Sequence, residues 1–222
     1  MAAKKRIRRP HFLNCCVCDN SQLNLFSEVD DKIYWQCAHC LVVFLDNKFK
    51  LSPLEEKHRY QQHNNGIHDK DYRFFLSKLF QPLKAKLKKG SKGLDYGCGP
   101  GPALAEMFIE EGFHVDLYDP FFFKDELVFS KEYDFITCTE TVEHFFEPAK
   151  EFQRLDKLLA KEGYLAIMTT FLEDEKNFGQ WYYRKDPTHV AFYQLQTFKI
   201  IASKMNWTLE IPVKDVVLFK KD

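Results

Sequence analysis

The chain has 222 residues, 45% of them hydrophobic, enough for one substantial α/β core and a small accessory module. Its 32 basic and 32 acidic side chains cancel, so no whole-molecule attraction to nucleic acid is expected, although Lys4, Lys5, Arg6, Arg8 and Arg9 crowd the first ten residues. No apolar run of about 18 residues and no signal-peptide pattern occurs, which argues against a membrane-spanning helix and gives the expectation of a soluble, cytoplasmic protein. In such a reducing compartment the seven cysteines read as metal ligands and free thiols.

The first zone, residues 10–46, carries Cys15-x-x-Cys18 and Cys37-x-x-Cys40 beside β-prone runs at 32–36 and 41–45. That spacing is the one used by four-cysteine zinc sites, in which four thiolates leave no open position and the metal is structural. Cys16 is a rival ligand and His39 a bystander, while Tyr34 and Trp35 either stack on a base or pack against the next domain. The module resembles a zinc ribbon. Residues 47–90 read as a helical connector or cap. Ser52, Pro53 and Glu55 supply an N-cap, a first-turn proline and an acid, and a second helix carries Tyr72, Phe75, Leu76, Leu79 and Phe80 on one face before Gly90. Between the two helices the polar stretch from Arg59 to His68 offers Tyr60 and His63 as a lid over a ligand, or as a plain surface loop.

From residue 91 to 222 strand and helix signals alternate, as in parallel strands joined by helical crossovers. Strands are expected at 93–96, 114–118, 133–138 and 164–169, with helices at 102–112, 148–160 and 194–205. A closing hairpin is expected from 209–213 and 216–220, turning at Lys214 and Asp215. The interval between Asp119 and Tyr133 is too short for two helices and a strand, so the core is expected to be trimmed on one edge.

The first of these strands ends in Asp95 and runs into Gly97, Cys98, Gly99, Pro100 and Gly101. Glycine at alternate positions lets the backbone turn tightly and approach a ligand. Asp95 would repel a pyrophosphate but suits the ammonium of an aminoacyl group. About twenty residues on, Asp119 closes the second strand, where a carboxylate accepts ribose hydroxyls; it is preferred to Asp116 because the strand should end there. These residues resemble the class I S-adenosylmethionine-dependent methyltransferases, with Asp95 to Gly101 as their first motif and Asp119 as their second. Tyr133 to Ile136 resembles their fourth strand, and Gly163 followed by Tyr164 their turn into the fifth, Tyr164 replacing the usual second glycine. The resemblance implies a Rossmann-like sheet, S-adenosyl-L-methionine as cofactor, and Thr139 in its binding wall.

Glu140, Glu143 and His144 follow the fourth strand directly, at the edge where α/β sheets place ligands. Such an oxygen-rich mixed site suits Mg²⁺, Mn²⁺ or Zn²⁺, with a fourth ligand available from the stretch Asp186 to His189, where the resemblance given next implies His189. Otherwise His144 acts alone as a base or caps the following segment. This E-x-x-E-H element resembles small-RNA 2′-O-methyltransferases and the O-methyltransferases of ubiquinone biosynthesis, in which it holds a divalent ion beside the substrate hydroxyl. The aromatic groups at 121–123 and 181–183 flank the expected pocket and suit a planar acceptor, or simple packing. The expected function is therefore methyl transfer to a hydroxyl of a small molecule, metal-assisted or with a histidine base. RNA, a sugar carbon, or S-adenosylmethionine binding without catalysis stand as alternatives.

Overall fold

The structure is a computed structural model that describes residues 14–61 and 66–222. The basic residues at 4–9 and His63 lie outside the described residues. The N-terminal segment forms β1 (Leu23–Val29), β2 (Lys32–Cys37) and β3 (Val43–Leu45). β1 and β2 make a hairpin whose turn residues Asp30 and Asp31 both have positive φ, 51° and 57°, a conformation aspartate tolerates better than most residues. β3 is shorter than the strand expected over 41–45. Leu41 is left-handed, with φ 62°, and its N–H bonds the Cys37 carbonyl, so the chain is still turning there.

α1 (Pro53–Tyr60) starts in a capping box, with the Glu55 carboxylate accepting the Ser52 N–H at 2.8 Å. α2 (Lys70–Lys84) is capped by Asp69 and buries Leu76, Leu79, Phe80 and Leu83. Next come β4 (Lys92–Tyr96), α3 (Ala103–Glu110), β5 (His114–Tyr118), β6 (Tyr133–Thr139), α4 (Pro148–Leu158) and β7 (Leu159–Met168). The chain closes with α5 (Tyr182–Lys185), β8 (Ala191–Phe192), α6 (Leu195–Met205), β9 (Trp207–Glu210) and β10 (Val216–Lys221).

Six strands form one sheet in the order β5-β4-β6-β7-β10-β9. The first four are parallel and β10 runs antiparallel between β7 and β9, giving the expected Rossmann-like α/β sheet. β5 is its edge strand, because the connection to β6 holds only the short 3₁₀ turn Glu126–Ser130. Alternate residues face opposite layers. Leu165, Ile167, Val217 and Phe219 meet Phe152 and Leu155 of α4 and Phe198 and Ile201 of α6, whereas Ala166, Met168, Val216 and Leu218 meet α2 and α3. Several expected boundaries move: the strand expected over 164–169 already begins at Leu159, and the helix expected over 102–112 spans Ala103–Glu110. The helix over 148–160 stops at Leu158 because Leu159 is already extended (φ −82°, ψ 123°). The final hairpin does not turn at Lys214 and Asp215 alone. α6 ends on left-handed Asn206, β9 begins at once, Leu209 pairs with Phe219, and residues 211–215 form the connection.

β8 leaves the large sheet and pairs antiparallel with β3, Val43 opposite Phe192, as the fourth strand of the N-terminal sheet. Side chains follow the backbone: Trp35, Cys37, Val42 and Phe44 share one apolar cluster with the large sheet, and Tyr34, Val43 and Leu45 another with Tyr183, Val190 and Phe192. The Cys16 carbonyl accepts the Ala149 N–H at 3.0 Å, and the Cys40 carbonyl accepts the Thr197 hydroxyl at 2.8 Å. Among the described residues no helix is long and apolar enough to cross a membrane.

Candidate active site

β4 brings Asp95 to the carboxyl edge of the sheet, and the glycine loop follows. Gly97 has φ 80° and a Cβ there would lie 2.2 Å from Thr141 Cγ2, so both conformation and space demand glycine. Gly99 has φ 63°, but a Cβ on it would meet nothing within 4 Å: its open side faces the cavity that it lines. The N–H groups of Gly97 and Cys98 donate to the Tyr118 carbonyl, at 2.8 and 3.3 Å, which fastens the loop to the end of β5. Asp119 sits at that end. Its Oδ2 accepts the Gly99 N–H at 3.1 Å and its Oδ1 the N–H groups of Phe121 and Phe122 at 2.8 and 3.0 Å. A carboxylate has about four lone-pair sites, so capacity for roughly one more donor remains. Asp116 is occupied elsewhere, accepting from Lys131 and Tyr133, at 2.7 and 2.9 Å. The Asp95 carboxyl is buried, which pushes its pKa up to about 6, while the Thr137 hydroxyl donates to it at 2.7 Å and partly offsets that shift. Among the described residues Thr139 Oγ1 is buried without a partner, and its residue lines the same cavity with Cys98 and Gly101.

Beyond β6, Glu140 is left-handed at φ 49°, and Val142–His144 forms a 3₁₀ turn. Glu143 is wholly buried; the Tyr183 hydroxyl donates to its Oε1 at 2.5 Å and the Thr169 hydroxyl to its Oε2 at 3.0 Å. His144 Nδ1 lies 3.0 Å from the Thr188 carbonyl. A carbonyl only accepts, so Nδ1 carries the proton and Nε2 is left as an acceptor. The His189 ring lies 4.2 Å from that of Tyr183 and 4.7 Å from that of His144, its Nδ1 is buried without a hydrogen-bond partner among the described residues, and burial lowers its pKa to about 4, keeping it neutral. Ligand atoms of Glu143, His144 and His189 lie within 4.8 Å of one another. Glu140 does not join that group. It lines the cavity nearby, with a pKa pushed to about 9 by burial and by the Glu143 charge.

α1 reaches over this turn. The Tyr60 ring is 5.2 Å from that of His144 and 5.5 Å from that of Phe121. Arg59 bonds the Asp186 carboxylate at 3.0 Å, and Asp186 in turn accepts the Thr188 N–H and hydroxyl, at 3.0 and 2.6 Å. One cavity of about 1090 Å³ runs from the glycine loop to His144 and His189, walled by Tyr60, Tyr72, Phe75, Phe121 and Tyr182 among others. Glu56, one helical turn before Tyr60 and on the same face, also lines the cavity, and Tyr183, which stands out in the sequence only as an aromatic, reaches Glu143. Nothing local in the sequence marks Thr169 or Tyr183 as partners of Glu143.

At the other end of the N-terminal sheet the sulfurs of Cys15, Cys18, Cys37 and Cys40 gather within 4.8 Å, with Cys15–Cys40 and Cys18–Cys37 both at 3.5 Å. The N–H groups of Val17 and Cys18 point at the Cys15 sulfur and those of His39 and Cys40 at the Cys37 sulfur, at 3.4–3.5 Å. A tetrahedron with Zn–S bonds of about 2.3 Å has sulfurs about 3.8 Å apart, so the cradle fits zinc. Cys16 stands outside it.

Residues 68–210 match the family model described as a methyltransferase domain. The chain belongs to this methyltransferase family. The sheet order and glycine loop of the methyltransferase are those of the class I, S-adenosylmethionine-dependent enzymes. No curated protein matches the chain. Among solved structures it is similar to a protein from Pyrococcus horikoshii, with 16% identity and TM-score 0.54 over 75% of this chain and 99% of that one. It is also similar to 1,6-didemethyltoxoflavin-N1-methyltransferase from Burkholderia thailandensis, whose structure holds 1,6-didemethyltoxoflavin and S-adenosylhomocysteine. That likeness has 13% identity and TM-score 0.51, over 91% of this chain and 100% of that one. At these identities the likeness is one of fold.

Proposed function

We propose that this methyltransferase methylates a hydroxyl of a small molecule, that Glu143, His144 and His189 hold a divalent ion beside that hydroxyl, and that the four cysteines hold a structural zinc. The observation that carries the reading is the single cavity joining the glycine loop to the His144–His189 pair. Pockets for one drug-sized ligand span about 300–1,000 Å³, so about 1090 Å³ leaves room for a cofactor and a small acceptor side by side. Glu56, Arg59 and Tyr60 of α1 wall that space, as suits an acceptor surrounded by side chains.

On the cofactor side, Asp95 meets the aminoacyl ammonium, Asp119 has one acceptor position for a ribose hydroxyl, and Thr139 offers its unpartnered hydroxyl. On the acceptor side, the donor set fits a metal: Thr188 fixes the His144 tautomer, Tyr183 and Thr169 hold the Glu143 carboxylate, and His189 is neutral. Two imidazoles and one carboxylate suit Zn²⁺ or Mn²⁺ better than Mg²⁺. A bound ion would supply Lewis acidity that lowers the hydroxyl pKa. The Thr188 bond equally prepares His144 Nε2 to take a proton as general base, and this is the second reading.

Calorimetry with S-adenosylhomocysteine and metal analysis on the same sample tests these points. The expected result is tight binding that weakens in Asp119→Ala, one zinc retained in all variants with intact cysteines, and a second ion lost in His189→Ala. An equal metal content in wild type and His189→Ala would leave His144 as a base without metal.

A further inference from the structure

α1 buries the wrong kind of side chain. Its one buried residue is Glu56, 8% exposed, while Leu54 in the same turn is 78% exposed. A carboxyl group withdrawn from water destabilises a fold unless it is well bonded. Among the described residues Glu56 has one long hydrogen bond, from the Tyr60 hydroxyl at 3.4 Å. Lys50 acts on it only through space, because its Nζ donates to the Phe146 carbonyl at 2.8 Å and rests over the Phe146 ring. Most other acids of the cavity have partners: Asp186 has Arg59, Glu151 has Tyr96 and Arg154, Asp95 has Thr137, Glu147 has Lys150, and Asp119 has three backbone donors; Glu140 is the exception, and it lies beside Glu143 at the histidine pair rather than on α1. Glu56 therefore presents an under-bonded carboxyl to the same cavity, next to aromatic rings.

We propose that Glu56 is a specificity-determining residue for the acceptor: it receives a cationic nitrogen, an ammonium or a protonated heterocycle, on the molecule whose hydroxyl is methylated. This rests on the reading that the cavity takes the cofactor and a small acceptor together. A cation supplies the directly bonded charge partner that Lys50, engaged by Phe146, does not, and the rings of Tyr60 and Phe121 on the same walls favour a positive charge over their faces. Burial pushes the Glu56 pKa up to about 7, so near neutrality an arriving cation draws the carboxyl into its ionised form.

The test uses the full chain saturated with S-adenosylhomocysteine and titrated with matched phenolic amines and alcohols, tyramine against tyrosol and dopamine against hydroxytyrosol. Wild type should bind each amine at least ten-fold more tightly than its alcohol. Glu56→Gln should lose that preference with S-adenosylhomocysteine affinity unchanged. Glu56→Leu should also lose it while melting higher than wild type, since a residue kept for binding costs stability. Equal affinities, no measurable amine binding, a preference that survives Glu56→Gln, or a Glu56→Leu variant that melts lower would each overturn the proposal. If S-adenosylhomocysteine itself fails to bind, the cofactor reading falls and the proposal with it; if it binds without amine preference, only the proposal falls.

Discussion

Asp95 is buried at the end of β4 with a pKa pushed up to about 6 by that burial, and this has two opposite consequences. Below pH 6 the carboxyl is protonated and must release its proton to meet an ammonium, so cofactor affinity should fall by up to about ten-fold per unit as pH drops. Above pH 6 the affinity should be level. Measuring S-adenosylhomocysteine affinity from pH 5 to 8 checks this, and Asp95→Asn should bind weakly with a flat profile; an unaltered slope in that variant would remove Asp95 from the account. For the free protein the sign reverses. A raised folded-state pKa contributes stability at low pH that is lost as pH rises from 3.8 through 6. The loop glycines should differ as well. Gly97→Ala drives a Cβ into Thr141 at positive φ and should cost about 2–4 kcal/mol together with cofactor binding. Gly99→Ala has open space and should cost about 1 kcal/mol, with the loss seen mainly in binding. Thermal melts beside calorimetry separate the two.

Among the elements, β8 joins the N-terminal sheet to the 3₁₀ turn Val142–His144. The Leu45 N–H donates to the Val190 carbonyl at 2.9 Å and the Val190 N–H to the Glu143 carbonyl at 2.8 Å, so β3, the residue after His189 and the E-x-x-E-H turn form one hydrogen-bonded run. Cys37→Ser, or a chelator that strips the proposed zinc, should therefore lower the melting temperature and reduce methyl transfer more than S-adenosylhomocysteine binding. The glycine loop hangs on β4 and β5 and meets that run at Thr141, whose hydroxyl lies 3.3 Å from the Gly97 carbonyl, so cofactor binding should fall less than turnover rather than stay untouched. Equal loss of turnover and binding would argue against the coupling. β8 was illegible in the sequence because two residues, Ala191 and Phe192, carry no periodicity, and β1 was missed because its residues are mostly half-buried or exposed. Ser52, Pro53 and Glu55 announced α1 correctly because capping is local chemistry, and the loop from Asp95 to Gly101 was legible because glycine has few substitutes at positive φ. The E-x-x-E-H string gave both glutamates equal standing. Only the three-dimensional arrangement separates Glu143, clamped by Tyr183 and Thr169, from Glu140.

Across the whole molecule, the apolar cluster that begins at Cys15 and Val17 continues without a break to Trp207 and Phe219. The expected cysteine module and methyltransferase core share that interior, so the methyltransferase should unfold as one cooperative unit. Fluorescence of Trp35 and of Trp207, each measured with the other two tryptophans replaced by phenylalanine, should report the same denaturant midpoint. Midpoints that differ would show the N-terminal sheet to be a separate folding unit.

The same strand exchange sets a timetable for synthesis. The Cys40 carbonyl is capped by Thr197, 157 residues further along the chain, and β8 lies just before that point. At about 5–20 residues per second a ribosome takes roughly 8–30 s to deliver them. Both cysteine pairs emerge early, and the zinc proposed for them would hold the first three strands together while the outer edge of β3 still lacks its neighbour. An unpaired strand edge is a template for association with other chains. If the cysteines hold zinc as proposed, a nascent chain short of metal should be lost to aggregation before its glycine loop has anything to bind, and metal supply during translation would then set how much enzyme a cell obtains.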